Sequence, residues 1–395
     1  MKVTTSESGF SSRPIDLARL QKAWDIVVQR HDLLRAIFVL DFPGNDLIYQ
    51  VILSNACPSI EIRYDSIESV VTQSLLSRDS PSYTSSNLQH QLAIHVLSDY
   101  EARLTLEINH AIVDGHSTKL LAQDLQRAYR GDATPAVPSY AGFVSFVGNQ
   151  SRDEGIHYWT GLLEGAELCN FPDLSASSPS EDDENGTNIF VPNLDTARIR
   201  KFCKDQEITS ATMIQLAWAI VLRWYTRSLD TLLGILCSGL DLPIDDVDGI
   251  FGPLIGMLTC RFTFDETSVA EVLHDLHTRY LEGLLYQTVS LAEVYDALNL
   301  GTNGLFNSVI SFEKDDSLDQ EKSQPGKQEV NQDFVDGQKS HVEIGFWRES
   351  QATSGDFSTY PLTVAYQVSN TGSLHLGCYL DLRILPQWRA DRILE

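Results

Sequence analysis

Residues 101–110 read EARLTLEINH, and apolar and polar side chains alternate through them. Successive side chains point to opposite faces of a β-strand, so Leu104, Leu106, Ile108 and His110 share one face. Thr105, Glu107 and Asn109 share the other. A strand with one apolar row needs a core on that side, which commits the chain to a sheet. The row ends in a titratable ring, and Asp114-Gly115 follow four residues later. A histidine at the end of a buried row is shielded yet reaches past the strand, which suits acid–base work near neutral pH. The competing reading is a hydrogen-bonded core histidine beside a helix-starting Asp-Gly, and the strand pattern alone leaves both open. Asp114 is expected to fix the loop through a charged partner, and Gly115 permits the turn before the next helix.

Around this strand, periodicity predicts a mixed α and β chain. Leu17, Leu20, Trp24, Val27 and Val28 repeat at helical spacing behind an Asp16 cap. LRAIFVL and LIYQVIL read as a strand pair across DFPGND, and LQHQLAIHVL pairs with the opening strand. STKLLAQDLQRAYRG is a helix that Ser117 or Thr118 caps and Gly131 ends. Further along, TSATMIQLAWAIVLRWYTR is a helix apolar on most sides, so a buried one is expected. TLLGILCSGL and FNSVISF are strands, VAEVLHDLHTRYLEGLLYQ is an amphipathic helix, and YPLTVAYQVS pairs with LHLGCYLDLRI.

At 395 residues one core is too few, because single cores stop growing at about 250–300 residues. The polar, acidic stretch 171–188 reads as a linker between lobes 1–170 and 189–395. Residues 313–341 hold few apolar side chains and are expected to be a mobile loop.

The net charge of −25 argues against nucleic acid or an anionic membrane as partner, since both need Lys/Arg clusters. Six cysteines lie far apart with no C-x-x-C pair, which favours free, buried thiols in a reducing compartment. No stretch reaches the roughly 18–20 apolar residues that span a bilayer, and the polar start has no signal core. The chain therefore reads as cytoplasmic. It carries no serine elbow, phosphate loop, dinucleotide fingerprint or H-E-x-x-H. His110, Asp114 and His116 lack a second ligand cluster, so no metal is expected, and His274 and His277 read as a solvated helix face.

INHAIVDGHS resembles the His-His-x-x-x-Asp-Gly motif of condensation domains from nonribosomal peptide synthetases, in the chloramphenicol acetyltransferase superfamily. In the family's order, RHDLLRAIF (30–38), HYWTGLLEGA (157–166) and GPLIGMLTCRF (252–262) are similar to three further motifs. The likeness covers roughly residues 13–385. Asn109 stands where the family has its first His, residues 256–260 lack the usual Asn and Pro, and the family's first segment is not recognisable. HAIVDGHS and FNSVISF look closer to terminal, product-releasing domains of fungal synthetases.

The resemblance implies an α+β fold, two chloramphenicol acetyltransferase-like lobes forming a V with a central tunnel. It implies an acyltransferase that takes an acyl or peptidyl thioester from the phosphopantetheine of a carrier protein and joins it to an amine or hydroxyl, or cyclises it. No bound cofactor is implied. His110 would be the base or the positioner of the nucleophile, with Asp114 paired to Arg35, or failing that to Arg261, and Gly115 shaping the loop. Asn109, Ser117, Ser311 and Arg261 would line the tunnel or position the nucleophile. Asn109 lies off His110's row, so Asn109→His is expected to be tolerated. Two alternatives remain: a superfamily acyltransferase using a coenzyme A thioester, and a degenerate lobe pair that only docks a carrier.

Overall fold

A computed structural model describes residues 2–10, 14–40, 47–64, 87–133, 135–171, 187–190, 194–264, 268–301, 304–314, 345–349, 360–368, 374–380 and 392–393. The chain folds as two compact units, each drawn from separate stretches of sequence. The first comprises residues 1–149, 240–254 and 333–356, and the second comprises 150–239, 255–332 and 357–395.

The first unit is built on strands β1 (Lys2–Phe10), β4 (Ile60–Tyr64), β5 (His90–Ser98), β6 (Glu101–Asn109) and β11 (Gly345–Glu349), in the order β11-β1-β6-β5-β4. All neighbours are antiparallel except β4 and β5. The predicted alternation in β6 holds: Ala102, Leu104, Leu106 and Ile108 are buried and the residues between them are less so. Strands β2 (Ala36–Val39) and β3 (Tyr49–Ile52) form the expected separate hairpin.

Helix α1 (Leu17–Arg30) starts on Asp16, whose carboxylate accepts the Arg19 N–H at 3.0 Å. It buries Leu20, Trp24, Val27 and Val28 in one core with Leu92, Ile94, Leu106 and Ile108. Helix α2 (Gly115–Arg130) adds Leu121 and Leu125 to that core and ends at Gly131, at φ 76°. Its cap is Asp114 rather than Ser117 or Thr118, because the helix begins two residues earlier than the apolar spacing suggested.

The second unit contains a six-stranded sheet of β7 (Thr187–Phe190), β8 (Asp230–Cys237), β9 (Gly256–Thr263), β10 (Ser308–Lys314), β12 (Leu362–Val368) and β13 (Leu374–Leu380). The order is β7-β13-β12-β10-β8-β9, with β10 parallel to both of its neighbours. Strand β9 carries the latter part of the 252–262 motif. Short helices α3 (Tyr140–Asn149) in the first unit and α4 (Arg152–Leu163) in the second fall on either side of the division. Trp159 and Leu163 of α4 are buried with the β8–β9 side chains, so the division falls after Asn149 instead of after residue 170.

Helices α5 (Thr196–Asp205), α6 (Ser210–Thr226), α7 (Val269–Leu284) and α8 (Leu291–Ala297) complete the second unit. Helix α6 departs from expectation. It buries Ile214, Leu216, Trp218, Ala219 and Leu222, yet Trp224 stands 81% exposed and Ile220 and Tyr225 are also exposed. Its apolar residues exceed what one buried face accommodates. His277 of α7 is not fully solvated either, since its Nδ1 lies 3.1 Å from Thr212 Oγ1 on α6.

Most of the expected linker, 172–186, and of the expected mobile loop, 315–341, lies outside the described residues. Thr187 and Asn188 begin β7, and Glu313 and Lys314 end β10. None of the six cysteines forms a disulfide; five are buried and Cys57 is exposed. Among the described residues no helix is long and apolar enough to cross a membrane.

Candidate active site

Strand β6 stops at Asn109, and His110 opens a single 3-10 turn, His110–Ile112. Ile112 and Val113 are buried, which anchors the turn to the core behind it. The His110 ring itself is half-buried, and among the described residues it has no hydrogen-bond partner. Buried polar atoms are mostly satisfied, and the buried His31 and His90 rings each bond a protein group through Nε2. Among the described residues no group occupies either nitrogen of the sheltered His110 ring, so one is open to take a proton, as a general base must be.

Asp114, just beyond this turn, is spent on structure. Its Oδ1 accepts the Ser117 backbone N–H at 2.8 Å and the Ser117 hydroxyl at 2.7 Å. Its Oδ2 accepts the Leu254 N–H at 3.0 Å. Ser117 Oγ also accepts the Gly252 N–H at 3.0 Å and lies 3.0 Å from the Gly252 carbonyl, so one hydroxyl proton serves two acceptors. Segment 252–254 is thus bound to the start of α2 by backbone groups on one side and two buried side chains on the other. Tyr140 adds to the clamp by donating its hydroxyl to the Pro253 carbonyl at 3.0 Å. Burial, with the Asp114 charge nearby, pushes that phenol up to about 12, so it stays a donor across the physiological range.

Gly252 shows how close the approach is. Its φ is +149°, and a Cβ there would strike the Tyr140 ring and come within 2.6 Å of Leu33 Cδ1. Nearby, His116 donates from Nε2 to the Asp248 carbonyl at 2.7 Å. His116 and Asp114 are thereby both committed to protein partners.

The expected pairing of Asp114 with an arginine does not form. Arg35 sits in the 3-10 turn Asp32–Arg35, pairs with Asp32 at 2.7 Å and donates to the Leu53 carbonyl. Asp32 is three residues from Arg35 and on the same turn, so the local carboxylate takes the guanidinium first. Arg261 is likewise occupied. Its Nε and Nη2 grip Asp230 bidentately at 2.9 and 2.8 Å, and Nη1 reaches the Leu162 and Glu164 carbonyls at 2.9 Å. It ties the end of α4 to strands β8 and β9, with four of its five N–H donors spent on protein partners. Ser117 is fully buried within the clamp, so it does not line a tunnel. Gly115 is the first helical residue of α2, with open space where a Cβ would stand. Ser311 lies in β10, between Ala365 and Leu236 on the flanking strands, in the second unit.

The buried charge cluster of the first unit lies elsewhere. Asp124 of α2, 4% exposed, accepts from Arg30 at 2.8 Å and bonds His31 at 2.9 Å, with Arg127 at 3.3 Å. Burial raises its carboxyl, but the His31 and Arg30 hydrogen bonds outweigh that and hold it below the ordinary carboxylate range. The RHDLLR segment therefore locks α1 to α2 through its first two residues. The i, i+7 relation of Asp124 to Ser117 on one helix face was the available signal for this.

Comparison with known proteins points the same way. The condensation domain family matches residues 6–373. A nonribosomal peptide synthetase of Metarhizium robertsii is 37% identical over 306 residues, covering 77% of this chain and 4% of its own length. Nonribosomal peptide synthetase 5 of Gibberella zeae is 34% identical over 322 residues, covering 78% and 3%. The chain thus spans a few hundredths of the length of these relatives. Among solved structures, the condensation domain of the monacolin K polyketide synthase MokA superposes with a TM-score of 0.73 at 14% identity, over 99% of this chain and 90% of its own. The teicoplanin X-domain, solved with OxyB, reaches 0.77 at 14% identity, over 100% and 86%. The family match over most of the chain and the identity to these relatives show that the chain belongs to the condensation domain family.

Proposed function

We propose that this chain is a condensation-type acyltransferase of nonribosomal peptide biosynthesis. It joins a carrier-bound acyl or peptidyl thioester to an amine or hydroxyl, intermolecularly or by cyclisation. The observation that carries the reading is the contrast at the motif: Asp114, Ser117 and His116 are all spent on protein partners, while the half-buried His110 ring is not.

A thioester is already activated, so no enzyme nucleophile is needed. As the nucleophile's nitrogen or oxygen attacks the carbonyl carbon, its proton passes to a His110 ring nitrogen. The new C–N or C–O bond forms, the C–S bond breaks, and the proton passes from the imidazolium to the leaving phosphopantetheine thiolate. A positioned base typically contributes about 10²–10⁴-fold, and holding two substrates in line contributes up to roughly 7–11 kcal/mol.

The coenzyme A alternative asks for a basic patch, and the net charge of −25 speaks against it. A carrier-docking domain without catalysis has in its favour residues 256–260, which lack the family's usual Asn and Pro. Transfer from a phosphopantetheine-loaded carrier domain, measured with His110→Ala beside the unaltered chain, separates the readings. Loss of product with an intact fold supports acyl transfer; equal turnover by both proteins removes His110 from the mechanism.

A further inference from the structure

Nothing among the described residues hydrogen-bonds the His110 ring, so the hydrogen bonds that hold it in place act through the backbone that carries it. That backbone is held by two side-chain amides. Asn109 is the last residue of β6, and its Oδ1 accepts the Ala111 N–H at 3.0 Å, closing the turn over His110. Asn109 Nδ2 in turn donates to Gln89 Oε1 at 2.9 Å, and Gln89 Nε2 donates to the Asn87 carbonyl at 2.8 Å. The backbones agree with the side chains, since the Asn109 N–H donates to the Gln89 carbonyl at 2.8 Å. Gln89 is 1% exposed, at the entrance to β5.

The chain of bonds runs one way, from the Ala111 N–H to the Asn109 side-chain oxygen, from the Asn109 amide to the Gln89 side-chain oxygen, and from the Gln89 amide to the Asn87 carbonyl. Each side-chain amide donates from nitrogen and accepts at oxygen, so no flip of either one preserves the set. An amide pair bonded in this way, with Gln89 buried and Asn109 partly so, has one satisfied orientation. We infer that Gln89 and Asn109 are positioning residues for His110, an amide relay that fixes the turn from which the ring projects.

This rests on His110 being the proton-handling group of the proposed reaction. It also changes what Asn109 is for. Its parity puts it off His110's row, but its amide is committed, so Asn109→His costs the bond to Gln89 instead of being neutral. An imidazole Nδ1 stands as many bonds from Cα as the Asn oxygen and can accept from Ala111, but a ring carbon replaces Nδ2, so the donation to Gln89 is lost.

The test compares Asn109→Thr with Asn109→Val, which share a shape and differ in the oxygen that accepts from Ala111. Three readouts are made: amide exchange at Ala111, the His110 Cε1–H signal assigned by its loss in His110→Ala, and kcat and KM for transfer from a loaded carrier domain. In the Val variant the Ala111 amide exchanges about fivefold faster or more, as loss of a cap implies. Its His110 signal shifts or splits, and kcat falls on the order of tenfold to a hundredfold with KM little changed. The Thr variant restores all three toward the unaltered chain. Gln89→Met, which keeps length and removes the amide, moves the same readouts in the same direction and serves if Asn109→Val does not fold. An unmoved His110 signal in both Asn109→Val and Gln89→Met overturns the inference. A signal that moves while kcat holds also overturns it, unless His110→Ala is fully active, in which case the acyl-transfer reading is what has failed.

Discussion

Asp114 Oδ2 accepts the backbone N–H of Leu254 at 3.0 Å, across 140 residues of sequence. The aspartate beside the candidate base is therefore a tie between the start of α2 and segment 252–254, and it is 3% exposed. Replacing it by Ala removes three accepted hydrogen bonds and strands two buried N–H groups. Hydrogen bonds to a charged group contribute about 1.5–3 kcal/mol each, and they are not additive here. We expect Asp114→Ala to lose about 3 kcal/mol of stability by chemical denaturation. Arg35→Ala should add independently to it in a double-mutant cycle, because the two side chains do not meet; a coupling above about 1 kcal/mol would contradict the clamp.

His110→Ala is expected to behave in the opposite way. The ring is half-buried and has no hydrogen-bond partner among the described residues, so its loss should change stability by about 1 kcal/mol or less. Transfer should fall by 10²-fold or more, on the order of what a general base supplies. Melting temperature and product formation on the same preparation check both halves.

His90 predicts a pH dependence of folding. Burial lowers it from 6.5 to about 4, against the smaller opposing effect of its hydrogen bond to the Leu34 carbonyl. Between those values the unfolded chain takes up a proton that the folded chain refuses, so stability rises with pH through this window. The contribution is complete above pH 6.5 and is lost as pH falls to about 4, a difference on the order of 3 kcal/mol. Asp124 acts lower: its depressed carboxyl contributes above the ordinary carboxylate range and is lost only as pH falls through its folded value. Urea midpoints at pH 7 and pH 4.5 should differ in the unaltered chain and differ clearly less in His90→Gln.

Arg261→Met should break the bidentate grip on Asp230 and leave that carboxylate, 13% exposed, without its cation. Removing one member of a buried pair typically costs about 3–5 kcal/mol. Arg261→Lys should recover little of it, since an ammonium cannot span both Asp230 oxygens and two carbonyls. Differential scanning calorimetry of the three proteins gives the ranking.

Gly252→Ala tests the close approach of segment 252–254. With φ at +149° and the Tyr140 ring where a Cβ would stand, the substitution should destabilise by at least about 2 kcal/mol. An alanine tolerated there would mean the segment is loosely held.

The elements legible in the sequence are those with a period. Leu20, Trp24, Val27 and Val28 of α1, and the Ala102–Ile108 row of β6, come directly from spacing, and so does His110's place at the end of that row. Strand β1 escapes such a reading because KVTTSESGF is mostly polar and shows no apolar row, and it is held by pairing along the length of β6. The partner of Asp114 escapes it for a different reason: a backbone N–H is carried by almost every residue, so nothing in the letters marks Leu254. Arginines advertise themselves as carboxylate partners, and both candidates have nearer ones in Asp32 and Asp230.

The first unit takes residues 240–254 and strand β11 from far downstream of Asn149. On a ribosome, residues 1–149 emerge while Asp114 Oδ2 and Tyr140 still lack Leu254 and Pro253, and while β1 has an unpaired edge. Domains that lie in one stretch fold as they are made, N-terminal part first. This unit is completed only after much of its companion has been synthesised, so the nascent chain carries an open strand edge and an unclosed loop site for that interval. Truncation after residue 149 reproduces that interval permanently, which makes the first unit a poor candidate for excision and ties its maturation to translation of the second unit.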